Sequence, residues 1–194
     1  MTSPPTSSPT SSPTSPMTSS PTSSRSFDGG IDEIPLPNTN GRLWLCGKHV
    51  VGPDPEAALA RVNATTIVCL NRRHELEDRY PGYVTWIEAN TPERAVWFPT
   101  ADLSIRPLDE MLPILSDLVV RVTRPGRAER LIIHCAAGIG RSGTTAAALL
   151  MMLGIDRATA VTTIAHHRPM AGPEVGSQRD FIDALDAYLG GSGL

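Results

Sequence analysis

The sequence predicts an α/β domain built on a central, mainly parallel sheet flanked by helices on both faces. Two observations predict it. Residues 65–70 and 131–134 are short, apolar and β-branched, the composition of strands buried on both sides. Longer stretches between and after them carry apolar residues at helical spacing, and strands alternating with helices are the pattern of a parallel sheet.

In chain order, residues 42–46 alternate in polarity and stop at Gly47, which predicts a first strand. Pro53, Asp54 and Pro55 open a helical pattern continued by Ala57, Ala58, Leu59 and Val62. Residues 65–70 form the next strand. Residues 74–78 and 83–87 read as two short helices divided by Pro81 and Gly82. Residues 95–98 read as a strand halted at Pro99. From Leu108 to Val122, Met111, Leu112, Ile114, Leu115, Leu118, Val119 and Val122 keep helical spacing, with Pro113 as a weak point near the start. After the strand at 131–134, residues 142–153 are rich in Ala, Leu and Met and predict a mostly buried helix. Two more helices follow at 156–167 and 178–189, the last with Ser177 as N-cap and Asp180 as its capping-box partner. There is no internal repeat.

The chain has 194 residues and a formal net charge of −3, enough for one domain with a sizeable core. The first 24 residues are Ser, Thr or Pro except Met1 and Met17, and none is charged. Such a segment has almost nothing to bury, so residues 1–26 read as a disordered tail and 27–194 as the folded domain. The tail lacks the basic and apolar regions of a signal peptide. No apolar run approaches a membrane span, and the expectation is a soluble, cytoplasmic protein. The mildly acidic balance argues against nucleic acid as a partner. Cys46, Cys69 and Cys135 are too few and too scattered for a disulfide framework or a zinc site.

The chemistry concentrates in Ile-Ile-His-Cys-Ala-Ala-Gly-Ile-Gly-Arg-Ser-Gly, residues 132–143. A strand leads into a loop that leads into a helix. Gly138, Gly140 and Gly143 let the backbone curl and turn successive N–H groups inward. The helix adds its own free N–H groups and the positive end of its dipole. That arrangement suits a tetrahedral dianion, to which Arg141 can add two parallel hydrogen bonds. The same field favours a thiolate at Cys135, and Ser142 can hydrogen-bond to that sulfur as it leaves in a second step. His134 orders the loop rather than moving protons. Taken singly, Cys135 is an ordinary buried residue and Arg141 an ordinary surface charge; the combination is what carries the signal.

At these residues the sequence resembles the protein-tyrosine phosphatase superfamily. Its signature, His-Cys-x5-Arg-Ser/Thr, is matched by His134, Cys135, Arg141 and Ser142, with Ala136, Ala137, Gly138, Ile139 and Gly140 between as the phosphate-binding loop. The compact size points to the dual-specificity, cysteine-based branch. The resemblance spans roughly residues 42–190, strongly at the loop and loosely elsewhere. It implies a cysteine that attacks phosphorus, a phosphocysteine that water hydrolyses, and no metal or other cofactor. It also implies an aspartate on a loop before the cysteine. Asp102, after Trp97, Phe98 and Pro99, fits as general acid and then as the base that activates water. Asp109 and Glu110 compete, but they fall in a first helical turn, where carboxylates are ordinary dipole partners.

Four further readings are weaker. Asn71, Arg72, Arg73 and His74 follow a buried strand, so Arg72 and Arg73 either bind substrate phosphate or form a solvated charge run. Gln178 stands where some relatives position the hydrolytic water. His166, His167 and Arg168 close a helix and complement its dipole. Cys69, on a neighbouring strand, is either a second thiol that protects Cys135 as a disulfide or a buried small hydrophobe.

The function expected is hydrolysis of phosphotyrosine, with phosphoserine or phosphothreonine, in a phosphorylated protein. The alternatives are a phosphatase of a non-protein ester such as a phosphoinositide, a sulfurtransferase of the rhodanese type, and an inactive phosphate-binding module. The absence of lysine from the loop favours protein substrates over lipids. Asp102 and the Arg141-Ser142 ending argue against sulfur transfer. The presence of nucleophile, arginine and acid argues against an inactive module.

Overall fold

The computed structural model describes Met1 and residues 30–191; the predicted tail and its boundary near residue 26 lie outside the described residues. The strands are β1 (Asp32–Ile34), β2 (Arg42–Gly47), β3 (Thr66–Cys69), β4 (Ala95–Trp97) and β5 (Arg130–Cys135). They form one sheet in the order β1-β2-β5-β3-β4, parallel except for β1. The helices are α1 (Lys48–Val51), α2 (Pro55–Val62), α3 (Pro81–Asn90), α4 (Leu108–Thr123), α5 (Gly140–Met152), α6 (Arg157–His167) and α7 (Gly176–Gly191).

Because side chains alternate along a strand, each central strand feeds two cores. Leu43, Leu45, Val68, Leu131, Ile133 and Cys135 face α4 through α7. Trp44, Cys46, Ile67, Cys69 and Ile132 face α1, α2 and α3. The predicted α/β architecture is therefore the one observed, with β5 at its centre. The phosphate loop leaves the carboxyl end of that central strand and enters α5, of which residues 140–151 are all buried.

Local chemistry sets most boundaries. Asp54 caps α2 by accepting from the Ala57 N–H at 2.9 Å, and Pro55 occupies the first turn, where its missing N–H is not needed. Asp156 caps α6 in the same way through the Thr159 N–H at 3.0 Å. α4 runs straight through Pro113, whose lost N–H lies near the helix start while Met111, Leu115, Leu118 and Val122 bury the stripe that holds the helix down.

Three expectations need correction. Pro81 and Gly82 do not divide two helices: they are the first residues of α3, because proline is preorganised for the first turn. Before them lies only a 3-10 turn, Arg73–Glu75. Ser177 does not cap α7, which already begins at Gly176; the Glu174 N–H is met instead by Gln178 Oε1 at 2.8 Å. β1 and α1 are additional to the expected elements, both being too short to show a period in the sequence.

Candidate active site

The site forms where β2, β3 and β5 end together. Four consecutive loop carbonyls are bonded, three by other segments and one by the helix that follows: Ala136 O accepts from the Lys48 N–H at 3.1 Å, Ala137 O from Arg168 Nη2 at 2.9 Å, Gly138 O from Arg168 Nε at 2.6 Å, and Ile139 O from the Gly143 N–H at 2.8 Å. With its carbonyls drawn outward, the loop has its N–H groups left for an anion. Gly138 makes this possible. Its φ is +77° and a side chain there would overlap the Cys46 carbonyl.

Cys135 lies buried at the base of the loop, its Sγ 3.4 Å from Ser142 Oγ in the first turn of α5. His134 bonds Tyr83 Oη through Nε2 at 2.5 Å, and burial holds its pKa down at about 3, so the ring is neutral at physiological pH.

Arg141 is buried and its guanidinium is gripped on two sides. Glu75 accepts a bidentate pair at 2.8 Å from each Nη, and Thr100 O accepts from Nη1 at 2.9 Å. Asp102 Oδ1 lies 3.0 Å from Nη2, while its own side chain is largely exposed. The buried Nε–H has no acceptor among the described residues, which leaves a donor for a phosphate oxygen. Burial works against charge in both members of the Arg141–Glu75 pair, yet the bonds between them prevail. Arg141 is held more basic than usual, and the Arg141 guanidinium, the Arg72 N–H and the Asn71 amide hold the Glu75 carboxyl at about 2.

That depression has a consequence for acid stability. A carboxylate whose pKa falls from an ordinary 4.5 to about 2 on folding stabilises the fold fully above pH 4.5 and loses that contribution as pH drops through 2. The amount is on the order of 3 kcal/mol. Glu75→Gln should therefore lower Tm at neutral pH and flatten the dependence of Tm on pH between 4.5 and 2. A Tm-versus-pH profile parallel to that of the unmodified chain would show that Glu75 does not hold Arg141 in this way.

The structure brings Cys135, Arg141, Ser142, Asp102 and the loop residues into one site, and places other candidates elsewhere. Arg73 pairs with Glu88 and lies over the Trp97 ring, and Arg72 gives its backbone N–H to Glu75 Oε1. What enters the site from that segment is Glu75, because a buried guanidinium requires a carboxylate. Gln178 is buried, but both ends of its amide are engaged: Oε1 accepts from Glu174 N–H, and Nε2 donates to Ser104 O at 3.2 Å. Arg168 is not a helix-dipole partner. It spans the back of the loop, pairs with Asp32 and donates to Gly30 O at 3.0 Å, tying β1 to Ala137 and Gly138. Its place directly before Pro169, at the end of a helix that follows the loop, was the only trace of this role in the sequence.

Cys69 cannot protect Cys135. It is paired with His134 across the sheet, so its side chain faces the α3 side while that of Cys135 faces α5. Burial also pushes the thiols of Cys46 and Cys69 up to about 12, leaving both inert. No cluster of three potential metal-ligating side chains occurs among the described residues, and no helix among them is long and apolar enough to cross a membrane.

The architecture has known counterparts. Kinase associated phosphatase, in a variant whose catalytic-site cysteine is replaced by serine, superposes with a TM-score of 0.68 at 22% identity, covering 86% of this chain and 98% of that one. Human DUSP28 gives 0.60 at 21% identity, covering 78% and 95%. PTPMT1 in complex with PI(5)P gives 0.62 at 16% identity, covering 78% and 94%. At these identities the likeness is one of fold. The chain matches no curated protein. The family model of the PTP-SAK ("Swiss Army Knife protein") DSP-PTPase phosphatase domain, however, matches residues 44–182, from the second strand through the phosphate loop into the last helix. The chain therefore belongs to the dual-specificity phosphatase branch of the protein-tyrosine phosphatase superfamily.

Proposed function

We propose that this phosphatase removes phosphate from phosphotyrosine, and from phosphoserine or phosphothreonine, in protein substrates through a phosphocysteine intermediate. The observation that carries the reading is the convergence of Cys135 Sγ, Ser142 Oγ, Arg141 and Asp102 around one loop whose carbonyls are tied outward. The Cys135 thiolate attacks phosphorus, the S–P bond forms as the ester O–P bond breaks, and Asp102 gives its proton to the leaving oxygen. Arg141 and the loop N–H groups hold the three equatorial oxygens. Water then splits the S–P bond, with Ser142 donating to the departing sulfur.

Charge around the site supports a substrate with a single phosphate. Glu75 and Asp102 stand at Arg141, and Glu174 stands against Gly140. Glu75 and Asp102 share the charge of Arg141, and the Glu174 carboxylate repels further phosphates on the same molecule. The second reading, a phosphoinositide or other non-protein ester, draws on the likeness to PTPMT1 and its PI(5)P complex.

The test is phosphate release in EDTA from phosphotyrosine, phosphothreonine and phosphoserine peptides, phosphoinositides and an aryl phosphate. Peptide turnover with phosphotyrosine preferred is the expected result. Release confined to lipids or small esters would replace it with the second reading.

A further inference from the structure

We propose that Glu174 is a second catalytic carboxylate, the base that takes a proton from water when the phosphocysteine is hydrolysed. This rests on the phosphocysteine reading above and divides the acid–base work between two loops.

Glu174 lies in the loop between α6 and α7, and its carboxylate packs directly on the backbone of Gly140. Any side chain at Gly140 would overlap Glu174 Oε2 and come within 3.1 Å of Gln178 Nε2. Glycine at the loop's end is thus what admits a carboxylate to the rim of an anion cradle. An acidic group beside a site for a dianion weakens ground-state binding, so its place there calls for a role in the chemistry.

Gln178 cannot take the proton, because a carboxamide is not a base, and its amide bridges the Glu174 N–H and Ser104 O. Those two bonds tie the loop of Glu174 to the loop of Asp102. The carboxylates differ in their surroundings. Asp102, once it has given up its proton, is the carboxylate held by Arg141 at 3.0 Å. Glu174 makes no ion pair among the described residues, and it is exposed. Its oxygens are the ones left to accept from water. In the hydrolytic step a water O–H proton passes to Glu174, the water oxygen bonds to phosphorus, and the S–P bond breaks to return the Cys135 thiolate and free phosphate. Asp102 serves the first step and Glu174 the second.

The test is rapid-mix kinetics with an aryl phosphate, comparing the unmodified chain, Glu174→Gln and Asp102→Asn, with acid-quenched protein analysed by mass. Glu174→Gln should give a burst of about one aryl alcohol per enzyme, followed by turnover slowed on the order of 10²-fold. Protein quenched after the burst should carry one phosphoryl group on Cys135. Asp102→Asn should slow the burst itself and accumulate no phosphoenzyme. Turnover by Glu174→Gln without a burst or phosphoryl mass would overturn the assignment while leaving the phosphocysteine mechanism intact. Absence of phosphate release by the unmodified chain would overturn both.

Discussion

Cys135→Ser should abolish phosphate release, with kcat/KM falling by at least about 10⁴-fold on any substrate the unmodified chain turns over. The S–P intermediate needs a sulfur nucleophile at the base of the loop, and a serine hydroxyl is a far weaker nucleophile toward phosphorus. The substitution changes one buried atom, so the cradle itself should persist. Arg141 and the loop N–H groups then remain to bind a phosphopeptide without turning it over. Calorimetry with a phosphotyrosine peptide should show binding by Cys135→Ser, and a phosphate assay should show no hydrolysis. Residual turnover above one part in about 10³ would remove Cys135 from the role of nucleophile.

Arg168→Met should destabilise the fold and disable the site together. The guanidinium is buried, pairs with Asp32 and satisfies the carbonyls of Ala137, Gly138 and Gly30. Its removal leaves a carboxylate and several carbonyls without donors, a loss of about 3–5 kcal/mol. For a chain of this size that is a fall in Tm of about 6–20 °C. The loop carbonyls, no longer held outward, should rotate toward the anion, so kcat/KM should fall as well. Arg168→Lys separates the two effects. It keeps a cation for Asp32 but lacks the fork that grips Ala137 and Gly138, so it should recover much of the Tm and little of the activity. Equal recovery of both would show that Arg168 acts on stability alone, and an unchanged Tm in Arg168→Met would sink the account.

The two arginines explain why part of the site was legible and part was not. Arg141 sits six residues from Cys135, on a loop whose glycines and following helix declare a tight turn and an anion-binding end. Short-range chemistry dictates that segment. Glu75, Arg168 and Glu174 lie 60, 33 and 39 positions from Cys135 in the numbering and reach the site only because β3 and α6 end and α7 begins beside it. Glu75 and Glu174 carry no local signal, Arg168 carries only its place before Pro169, and in the segment of Glu75 the neighbouring arginines are the more conspicuous charges. The carboxylate was needed because Arg141 is buried, and burial is a property of the folded chain.

The sequence by itself determined the alternation of strands and helices, the buried character of α5 and the strand–loop–helix unit around Cys135, since all follow from hydrophobic period, turn residues and capping within a few positions. Only the tertiary structure decided that Cys69 faces away from Cys135, that Gln178 bridges two loops, and that Arg168 stands behind the phosphate loop with Asp32. Those outcomes depend on strand order and on which face of the sheet each side chain meets. Such pairings are set by packing between segments distant in the chain, where local propensity carries no information.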